Sequence, residues 1–330
     1  MSTKKEKIQS TIKSADTEEN IDIYWTRPIG YMWAKFFEKL GVHPNTVTIL
    51  SMFLGAGAGI CFYYDSYRLA GLDGLYINIL GVLLLAWANF YDSADGQLAR
   101  MTGKKTKLGR ILDGAAGDIW YIFIYFALVL RMWRYWSPDM QILGYDINVN
   151  YYIWGAIVFS YVAFDGFLCH PGQCRISDYY RNIHLLFLKG KNQSEADTYE
   201  AQKQIYDNLS WKDNFIEKFF QFFYKNWCNG QAKDTPQLQR LLKNLKDKYG
   251  DDIPQDFRDK FRALSFPVLK WTNALTFNWR AIFLYISCLL DLPWLVIAVE
   301  IFVFSAIRLH MIHYHEGFCK KLADELGKKN

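Results

Sequence analysis

Four aspartates, Asp92, Asp95, Asp113 and Asp118, lie in or beside long apolar segments of the chain. An unpaired carboxylate buried away from water costs several kcal/mol or becomes protonated. Asp92 and Asp95 are three residues apart, so on a helix their side chains share one face. If the two apolar segments pack as an antiparallel helix pair, Asp113 joins them. Clustered carboxylates require a cation, and hard oxygen ligands favour Mg²⁺ or Mn²⁺.

Glycines and basic residues surround these acids. The glycines, which leave room for a bound group, are Gly96, Gly109, Gly114 and Gly117. The positive charges are on Arg100, Lys104, Lys105 and Arg110. Acid, metal and base at a lipid–water boundary favour phosphoryl chemistry on an anionic lipid head group.

The apolar residues make up 51% of the 330-residue chain and concentrate near its two ends, with a charged block between. A helix needs about 20 mainly apolar residues to cross a bilayer. Six segments meet this length, and the fifth is the weakest because its purely apolar part is short. The predicted spans are 44–64, 75–92, 108–130, 151–169, 268–290 and 293–313. This pattern predicts an all-α integral membrane protein with six transmembrane helices.

The remaining segments complete the predicted domain organisation. Residues 1–28 are polar and are expected to form a disordered cytosolic tail. Residues 29–174 are expected to hold spans one to four, preceded by an amphipathic helix at 29–40 that lies in the membrane interface. Residues 175–266 are predicted to be a helical cytosolic insertion, and 267–330 carry the last two spans and a tail.

Helical patterning in the insertion covers 213–227 and 236–250. Asp213 or Asn214 is expected to cap the first helix, and Asp234 or Thr235 the second. The first helix also carries an aromatic stripe, for which we favour a packing face over docking onto the membrane surface. The stripe consists of Phe215, Phe219, Phe220, Phe223 and Tyr224.

Lysine and arginine are enriched in the loop after span two, in the insertion and in the C-terminal tail. The positive-inside rule therefore places both termini and the aspartates on the cytoplasmic side. Arg131 and Arg134, after span three, are exceptions to this distribution. The six cysteines show no paired framework and are expected to be reduced.

The spacing of the acids resembles a known family motif. It runs Asp92-x-x-Asp95-Gly96-x-x-Ala99-Arg100, then eight residues, Gly109, three residues and Asp113. This pattern resembles the CDP-alcohol phosphotransferase family, most closely its phosphatidylinositol-phosphate synthases. The segment HPNTVT at the start of span one, residues 43–48, is similar to that family as well.

The resemblance implies a homodimeric membrane enzyme that transfers a phosphatidyl group from CDP-diacylglycerol to a polar alcohol and releases CMP. Two Mg²⁺ or Mn²⁺ ions would be held by Asp92, Asp95, Asp113 and Asp118, and Asp118 would take the proton of the acceptor hydroxyl. The donor would be bound by Gly96, Ala99, Arg100, Gly109 and Arg110. Membrane lipids, but no nucleic acid, are expected as further partners.

The family pattern places its final aspartate four residues after Asp113, where this chain has Gly117 followed by Asp118. On a regular helix five residues advance about 140° beyond a full turn, which turns Asp118 away from Asp113. A π-bulge near Gly117 would restore the register, and we favour it. The alternative is that Asp118 is displaced, so that the chain uses another base or is an inactive scaffold.

Three arginines are candidates for binding the acceptor: Arg308, Arg280 and Arg175. A guanidinium binds phosphate through two parallel hydrogen bonds, so a phosphorylated acceptor such as inositol phosphate is favoured. Alternatively, Arg280 and Arg308 extend to lipid phosphates or to the interface. Glycerol phosphate, inositol and serine remain open as acceptors, as do CDP-choline or CDP-ethanolamine as donors with a lipid acceptor. The two non-enzymatic alternatives are an inactive scaffold and a cation transporter.

Overall fold

We describe the protein from a computed structural model, which covers residues 16–66, 71–104, 106–135, 139–142, 145–148, 150–190 and 196–327. Residues 1–15 of the predicted tail at 1–28 lie outside the described residues, as does Lys105. The described chain divides into two compact units. The first contains residues 18–170 and 277–301, and the second contains residues 16–17, 171–276 and 302–327.

The chain is almost entirely helical, which confirms the all-α prediction, and adds a short antiparallel hairpin, β1 and β2. The elements of the first part are a π-helical turn at Asp22–Thr26, α1 Arg27–Lys39, α2 Pro44–Phe62, α3 Gly71–Thr102, α4 Lys107–Tyr135, β1 Asp139–Ile142, β2 Tyr145–Asn148 and α5 Tyr151–Phe164. A π-helical turn at Asp165–Cys169 then leads into α6 His170–Lys189. The later elements are α7 Tyr199–Asn208, α8 Phe215–Asp234, α9 Pro236–Tyr249, α10 Gln255–Ala274, α11 Phe277–Leu289, α12 Pro293–Ala298, a π-helical turn at Val299–Phe304 and α13 Ser305–Gly327.

Five helices in the described part of the chain are long and apolar enough to cross a membrane, so the chain has the composition of a membrane protein. They are Pro44–Phe62, Leu72–Thr102, Gly109–Tyr135, Tyr151–Lys189 and Pro293–Gly327. The predicted fifth span, 268–290, is not one helix, because it is interrupted at Leu275 and Thr276. Its apolar part is α11, whose 13 residues extend about 20 Å, less than the roughly 30 Å of a hydrocarbon core.

In the first unit α2 packs against both α3 and α4, while α3 and α4 touch each other little. Small residues of α2 permit this close approach. A Cβ at Gly55 would lie 2.1 Å from the Trp120 ring, and a Cβ at Gly59 would lie 2.9 Å from the backbone of Phe123. The predicted direct pairing of spans two and three is therefore replaced by packing of both helices on α2.

Helix α1 packs on α3 through Gly30, Tyr31, Ala34 and Phe37, which are buried, whereas Met32 and Phe36 on other faces are exposed. The amphipathic helix predicted at 29–40 is thus present. Helical structure already begins at Asn20, earlier than the predicted end of the disordered tail at residue 28. A bidentate ion pair between Glu18 and Arg27 fixes this beginning.

At the opposite end of α4, Arg131 is fully buried and is compensated by three polar groups from two distant segments. It donates to the carboxylate of Asp291 at 2.8 Å, to the side chain of Asn78 at 2.9 Å and to the backbone oxygen of Cys288 at 2.9 Å. Asp291 forms the turn between α11 and α12 with a positive φ of 55°. Arg131 is therefore buried in the protein and is not a loop residue. This explains why it is an exception to the predicted distribution of lysine and arginine among the loops.

In the second unit α9 packs on α13, and α7 packs on α8. The predicted helices at 213–227 and 236–250 are present as α8 and α9. Their predicted side-chain caps are absent, because neither Asn214 nor Thr235, the N-cap residues, makes a capping hydrogen bond. Instead, the Glu316 carboxylate of α13 accepts from the backbone nitrogens of Gln237 and Leu238 at 2.6 and 3.1 Å.

The predicted packing role of the aromatic stripe is wrong. Phe215, Phe219 and Phe223 are exposed, and Phe220 and Tyr224 are only half-buried. None of the six cysteines, all of which the structure describes, forms a disulfide, as predicted.

We predict that Asp291→Asn strongly destabilises the first unit, because the charge of Arg131 is then buried without its partner. Removing one member of a buried ion pair costs about 3–5 kcal/mol, and asparagine retains the tolerance for positive φ. Thermal unfolding of the detergent-solubilised protein measures the loss. Asp73→Asn, an exposed carboxylate on α3, is the control, and equal unfolding temperatures of the two variants would contradict the prediction.

Candidate metal and donor site

Three of the four predicted acids come together in the first unit. Asp92 and Asp95 lie in the C-terminal part of α3 and Asp113 in the N-terminal part of α4, and one carboxylate oxygen from each lies within 4.8 Å of the others. Asp95 is buried, Asp92 is half-buried and Asp113 is exposed, so the cluster has an open side. The Oδ1 atom of Asp92 is buried and has no hydrogen-bond partner among the described residues.

The HPNTVT segment supports this cluster from α2. The hydroxyl of Thr48 donates to Oδ2 of Asp95. His43 precedes α2 and its Nδ1 accepts from the backbone nitrogen of Asn45 at 3.2 Å, which caps the helix. A Cβ at Gly109 would lie only 2.8 Å from Oδ1 of Asn45. Glycine at this position therefore lets α4 approach the start of α2.

A second support comes from Arg27 at the start of α1. Its Nη1 is 3.4 Å from the hydroxyl of Ser93, one of the two residues between the acids of α3. Burial alone would lower the pKa of Arg27, but the carboxylates of Glu18, Asp22 and Asp92 raise it above its ordinary value. Arg27 is therefore a permanent positive charge beside the acid cluster. Sequence reasoning missed both Thr48 and Arg27. Thr48 lies in the HPNTVT segment and could have been found there, whereas Arg27 falls in the stretch predicted to be disordered.

These residues fit a divalent metal. The cluster offers three hard oxygen donors close enough to share one ion or bridge two, and a buried oxygen of Asp92 is without a partner among the described residues. Oxygen-only donor sets of this kind suit Mg²⁺ or Mn²⁺ rather than softer metals.

The predicted donor-binding residues lie next to the acids on the same two helices. A Cβ at Gly96 would first meet the Arg100 guanidinium at 3.4 Å, and nothing lies within 4 Å of a Cβ at Gly114 or Gly117. Arg100 also acts electrostatically on Asp113. Open space over Gly114 and Gly117 and the positive charge of Arg100 therefore lie next to the acid cluster. The two other residues, Ala99 on α3 and Arg110 on α4, are half-buried.

Asp118 is not part of the cluster formed by the described acids. The π-bulge that we favoured from the sequence is wrong, because α4 is a regular α-helix from Lys107 to Tyr135. Asp118 therefore points about 140° away from Asp113 around the helix. It is exposed, and the charged groups that act on it are His170 and Arg280.

Arg280 lies in a buried polar network rather than in an open site. Its guanidinium donates to Oε2 of Glu300, and the same oxygen accepts from the hydroxyl of Tyr125 at 2.8 Å. Nδ1 of His170 lies 2.9 Å from this oxygen. The network was missed from the sequence, although Glu300 is an acid inside a predicted span and such residues indicate function by default.

The other two candidate arginines, Arg175 and Arg308, lie together in the second unit. Their Nη2 atoms contact the same oxygen, Oδ2 of Asp234, at 2.6 and 3.0 Å. Each lies over a glycine, because a Cβ at Gly230 would be 2.6 Å from Arg175 and one at Gly172 would be 2.7 Å from Arg308. Two guanidinium groups thus converge on one anionic group.

The fold and site define a helical membrane protein with a carboxylate cluster at the ends of two candidate spans. Residues 41–164 match the family model of CDP-alcohol phosphatidyltransferases. This segment includes the acid cluster and the segment from Pro44 onward, so the part of the chain that carries the acids is similar to that family.

Two curated relatives match parts of the chain. An archaetidylinositol phosphate synthase of Pyrococcus horikoshii is 33% identical over 117 residues, which are 36% of this chain and 56% of that protein. An uncharacterized protein of Aquifex aeolicus is 41% identical over 78 residues, 24% of this chain and 34% of that protein. The chain thus matches about half and about a third of their respective lengths. No solved structure matches the chain.

We predict that Thr48→Val weakens metal binding about 10–100-fold, which is the usual effect of losing a hydrogen bond to a metal ligand. The substitution preserves shape and removes the donor to Asp95. Titration of Mn²⁺ followed by electron paramagnetic resonance of the free ion measures it. Ser51→Ala is the matched control, because this buried hydroxyl donates to the backbone of Thr48 at 2.7 Å. Unchanged Mn²⁺ affinity in Thr48→Val would contradict the role of Thr48.

Proposed function

We propose that this protein transfers a phosphatidyl group from CDP-diacylglycerol to a polar alcohol, with release of CMP. The observation that carries the proposal is the convergence of Asp92, Asp95 and Asp113 within 4.8 Å inside the segment that matches the family model. The family match also disfavours the cation transporter, because it accounts for the acids without a translocation pathway.

The acids hold the metal, and the neighbouring residues hold the donor. Asp92, Asp95 and Asp113 would hold two Mg²⁺ or Mn²⁺ ions, and such ions would supply positive charge to the donor diphosphate and the CMP leaving group. Thr48 fixes the orientation of Asp95 through its hydroxyl. Gly96, Ala99 and Gly109 leave room for the donor, while Arg100 and Arg110 contribute positive charge.

Asp118 keeps its expected role as the base that accepts the proton of the acceptor hydroxyl, but it is no longer proposed as a metal ligand. In the reaction the acceptor oxygen attacks the phosphorus next to the lipid, the bond from phosphorus to the CMP oxygen breaks, and the hydroxyl proton passes to the Asp118 carboxylate. Its exposure and the open space over Gly114 and Gly117 support this role.

The acceptor is proposed to be inositol phosphate. Two lines support it: the convergence of Arg175 and Arg308 on one carboxylate, and a relative named archaetidylinositol phosphate synthase. A bound phosphate would replace Asp234 as the partner of the two guanidinium groups. Arg280 keeps its ion pair with Glu300 and is not proposed to bind the acceptor.

The distribution of lysine and arginine supports an active site and both termini on the cytoplasmic side. The family resemblance further implies a homodimer.

The experiment that tests the proposed function measures CMP release by the purified, reconstituted protein with Mg²⁺ and CDP-diacylglycerol. Inositol phosphate, glycerol phosphate, inositol and serine are offered in turn, and CDP-choline and CDP-ethanolamine are tested with diacylglycerol. We expect release with inositol phosphate alone, abolished by EDTA and restored by Mg²⁺ or Mn²⁺. CMP release with a different acceptor would show that the proposed acceptor is wrong. No CMP release with any combination of donor and acceptor would contradict an enzymatic function and favour the inactive scaffold.

We predict that Asp118→Asn lowers kcat by about 10²–10⁴-fold, the usual contribution of a positioned general base. Binding of Mn²⁺ should be unchanged, because Asp118 lies outside the acid cluster. Asp113→Asn is the comparison and should lose both activity and Mn²⁺ binding. Full turnover by Asp118→Asn would exclude it as the base, and loss of Mn²⁺ binding would return it to the metal site.

We predict that Arg308→Ala raises KM for inositol phosphate about tenfold or more, because a hydrogen bond to a charged group contributes about 1.5–3 kcal/mol. Asp234→Asn is the matched control, since it breaks the same ion pair but leaves both guanidinium groups in place. We expect this control to leave KM unchanged or lower it. If both variants raise KM equally, the arginines have only a structural role.

A further inference from the structure

The second unit exposes an aromatic strip at the start of α8. The strip consists of Trp211, Phe215, Ile216, Phe219, Phe222 and Phe223, whose exposed fractions are 46, 61, 63, 44, 41 and 56%. On a regular helix the five residues of the strip that belong to α8 lie within an arc of about 120°. They therefore form one face rather than scattered exposed side chains.

Two of the three buried residues of the same helix are polar amides, and the aromatic side chains of Phe220 and Tyr224 beside them are only half-buried. The three buried residues are Gln221, Cys228 and Gln231, and the amide nitrogen of Gln221 donates to the backbone and side-chain oxygens of Gln202 on α7, at 3.1 and 2.8 Å. A helix on the surface of a water-soluble protein has the reverse pattern, with its apolar face inward. The outer face of α8 is thus strongly apolar, which indicates that it contacts something other than water.

The rings of the strip contact one another. Ring centroids are 5.6 Å apart for Trp211 and Phe215, 6.4 Å for Phe215 and Phe219, and 5.1 Å for Phe219 and Phe223. A continuous exposed apolar patch of this kind marks a contact with a partner protein or a membrane.

A lipid bilayer fits this surface best. The second unit contains the ends of two candidate membrane spans, Tyr151–Lys189 and Pro293–Gly327, so the chain that carries the strip is anchored in a bilayer. Apart from the indole nitrogen of Trp211 the strip has no side-chain hydrogen-bonding group, whereas protein interfaces combine apolar residues with a polar rim. Aromatic side chains on one helix face are typical of helices that lie in the membrane interface.

The charges around the strip balance. Residues 199–225 contain four lysines, Lys203, Lys212, Lys218 and Lys225, and four acids, Glu200, Asp207, Asp213 and Glu217. The ammonium groups of Lys218 and Lys225 lie over the Tyr206 ring, 4.6 and 3.7 Å from its centroid. Attraction by anionic lipid is therefore not required. We propose that the aromatic strip of α8 inserts into the interfacial layer of the bilayer in which the protein is anchored, including a bilayer of neutral lipid.

The test uses the full chain reconstituted into phosphatidylcholine vesicles and carrying one spin label at Phe219→Cys or, separately, at Phe223→Cys. Collision rates with oxygen, which concentrates in lipid, and with a water-soluble nickel chelate are measured by electron paramagnetic resonance. Lys243→Cys, an exposed position on α9 of the same unit, is the matched control. The unsubstituted chain gives the background from the six native cysteines, five of which are buried.

We expect labels at both strip positions to collide more often with oxygen than with the chelate, and the label at residue 243 to show the reverse order. Chelate accessibility at both strip positions equal to that at residue 243 would overturn the proposal. So would dipolar broadening between labels that disappears when labelled protein is diluted with unlabelled protein, because a second copy would then occupy the strip.

Discussion

Charges among apolar helices must be compensated inside the protein, and this constraint determines much of the structure. Arg131 is neutralised by Asp291 at the turn between α11 and α12, and Arg280 is neutralised by Glu300 in the buried network. In both cases the partner is a carboxylate from another structural element, because water is not available to supply it. The acid cluster differs, since Asp92 retains a buried oxygen without a partner among the described residues. A bound cation is the compensation that this arrangement favours.

Helix α2 connects close packing to the geometry of the cluster. Gly55 and Gly59 allow α4 to approach the α2 backbone, and α3 packs on α2 as well. The acids of α3 and α4 therefore meet although these helices touch each other little. Near the N-terminus of α2, Thr48 fixes Asp95 through a hydrogen bond. Small residues set the distance between the helices, and the distance brings the carboxylates within reach of a shared metal.

The acids, the amphipathic first helix and most apolar helices were predictable, because residue spacing and the length of apolar runs are local properties. The break at Leu275 and Thr276 was not, since an apolar run does not reveal where tertiary contacts end a helix. The exposure of Phe219 was mispredicted for a related reason. Periodicity shows that one face of a helix is apolar but not what covers it. The partners of Arg131 depend on contacts between distant segments, which no local pattern contains.

The regular geometry of α4 separates metal binding at Asp113 from the proton transfer proposed for Asp118. The sequence had suggested that Asp118 takes part in both. Five residues of α-helix turn the Asp118 side chain about 140° from Asp113 and move it about 7.5 Å along the axis. A side chain in that position cannot share a metal with Asp113 without distortion of the helix, and α4 carries none. The open space over Gly114 and Gly117 lies along the helix between the two acids. In the proposed reaction the donor phosphate lies at the acid cluster, and the acceptor hydroxyl would lie in this space between that phosphate and Asp118. The one-residue displacement then separates the proposed proton acceptor from the metal ligands rather than removing it.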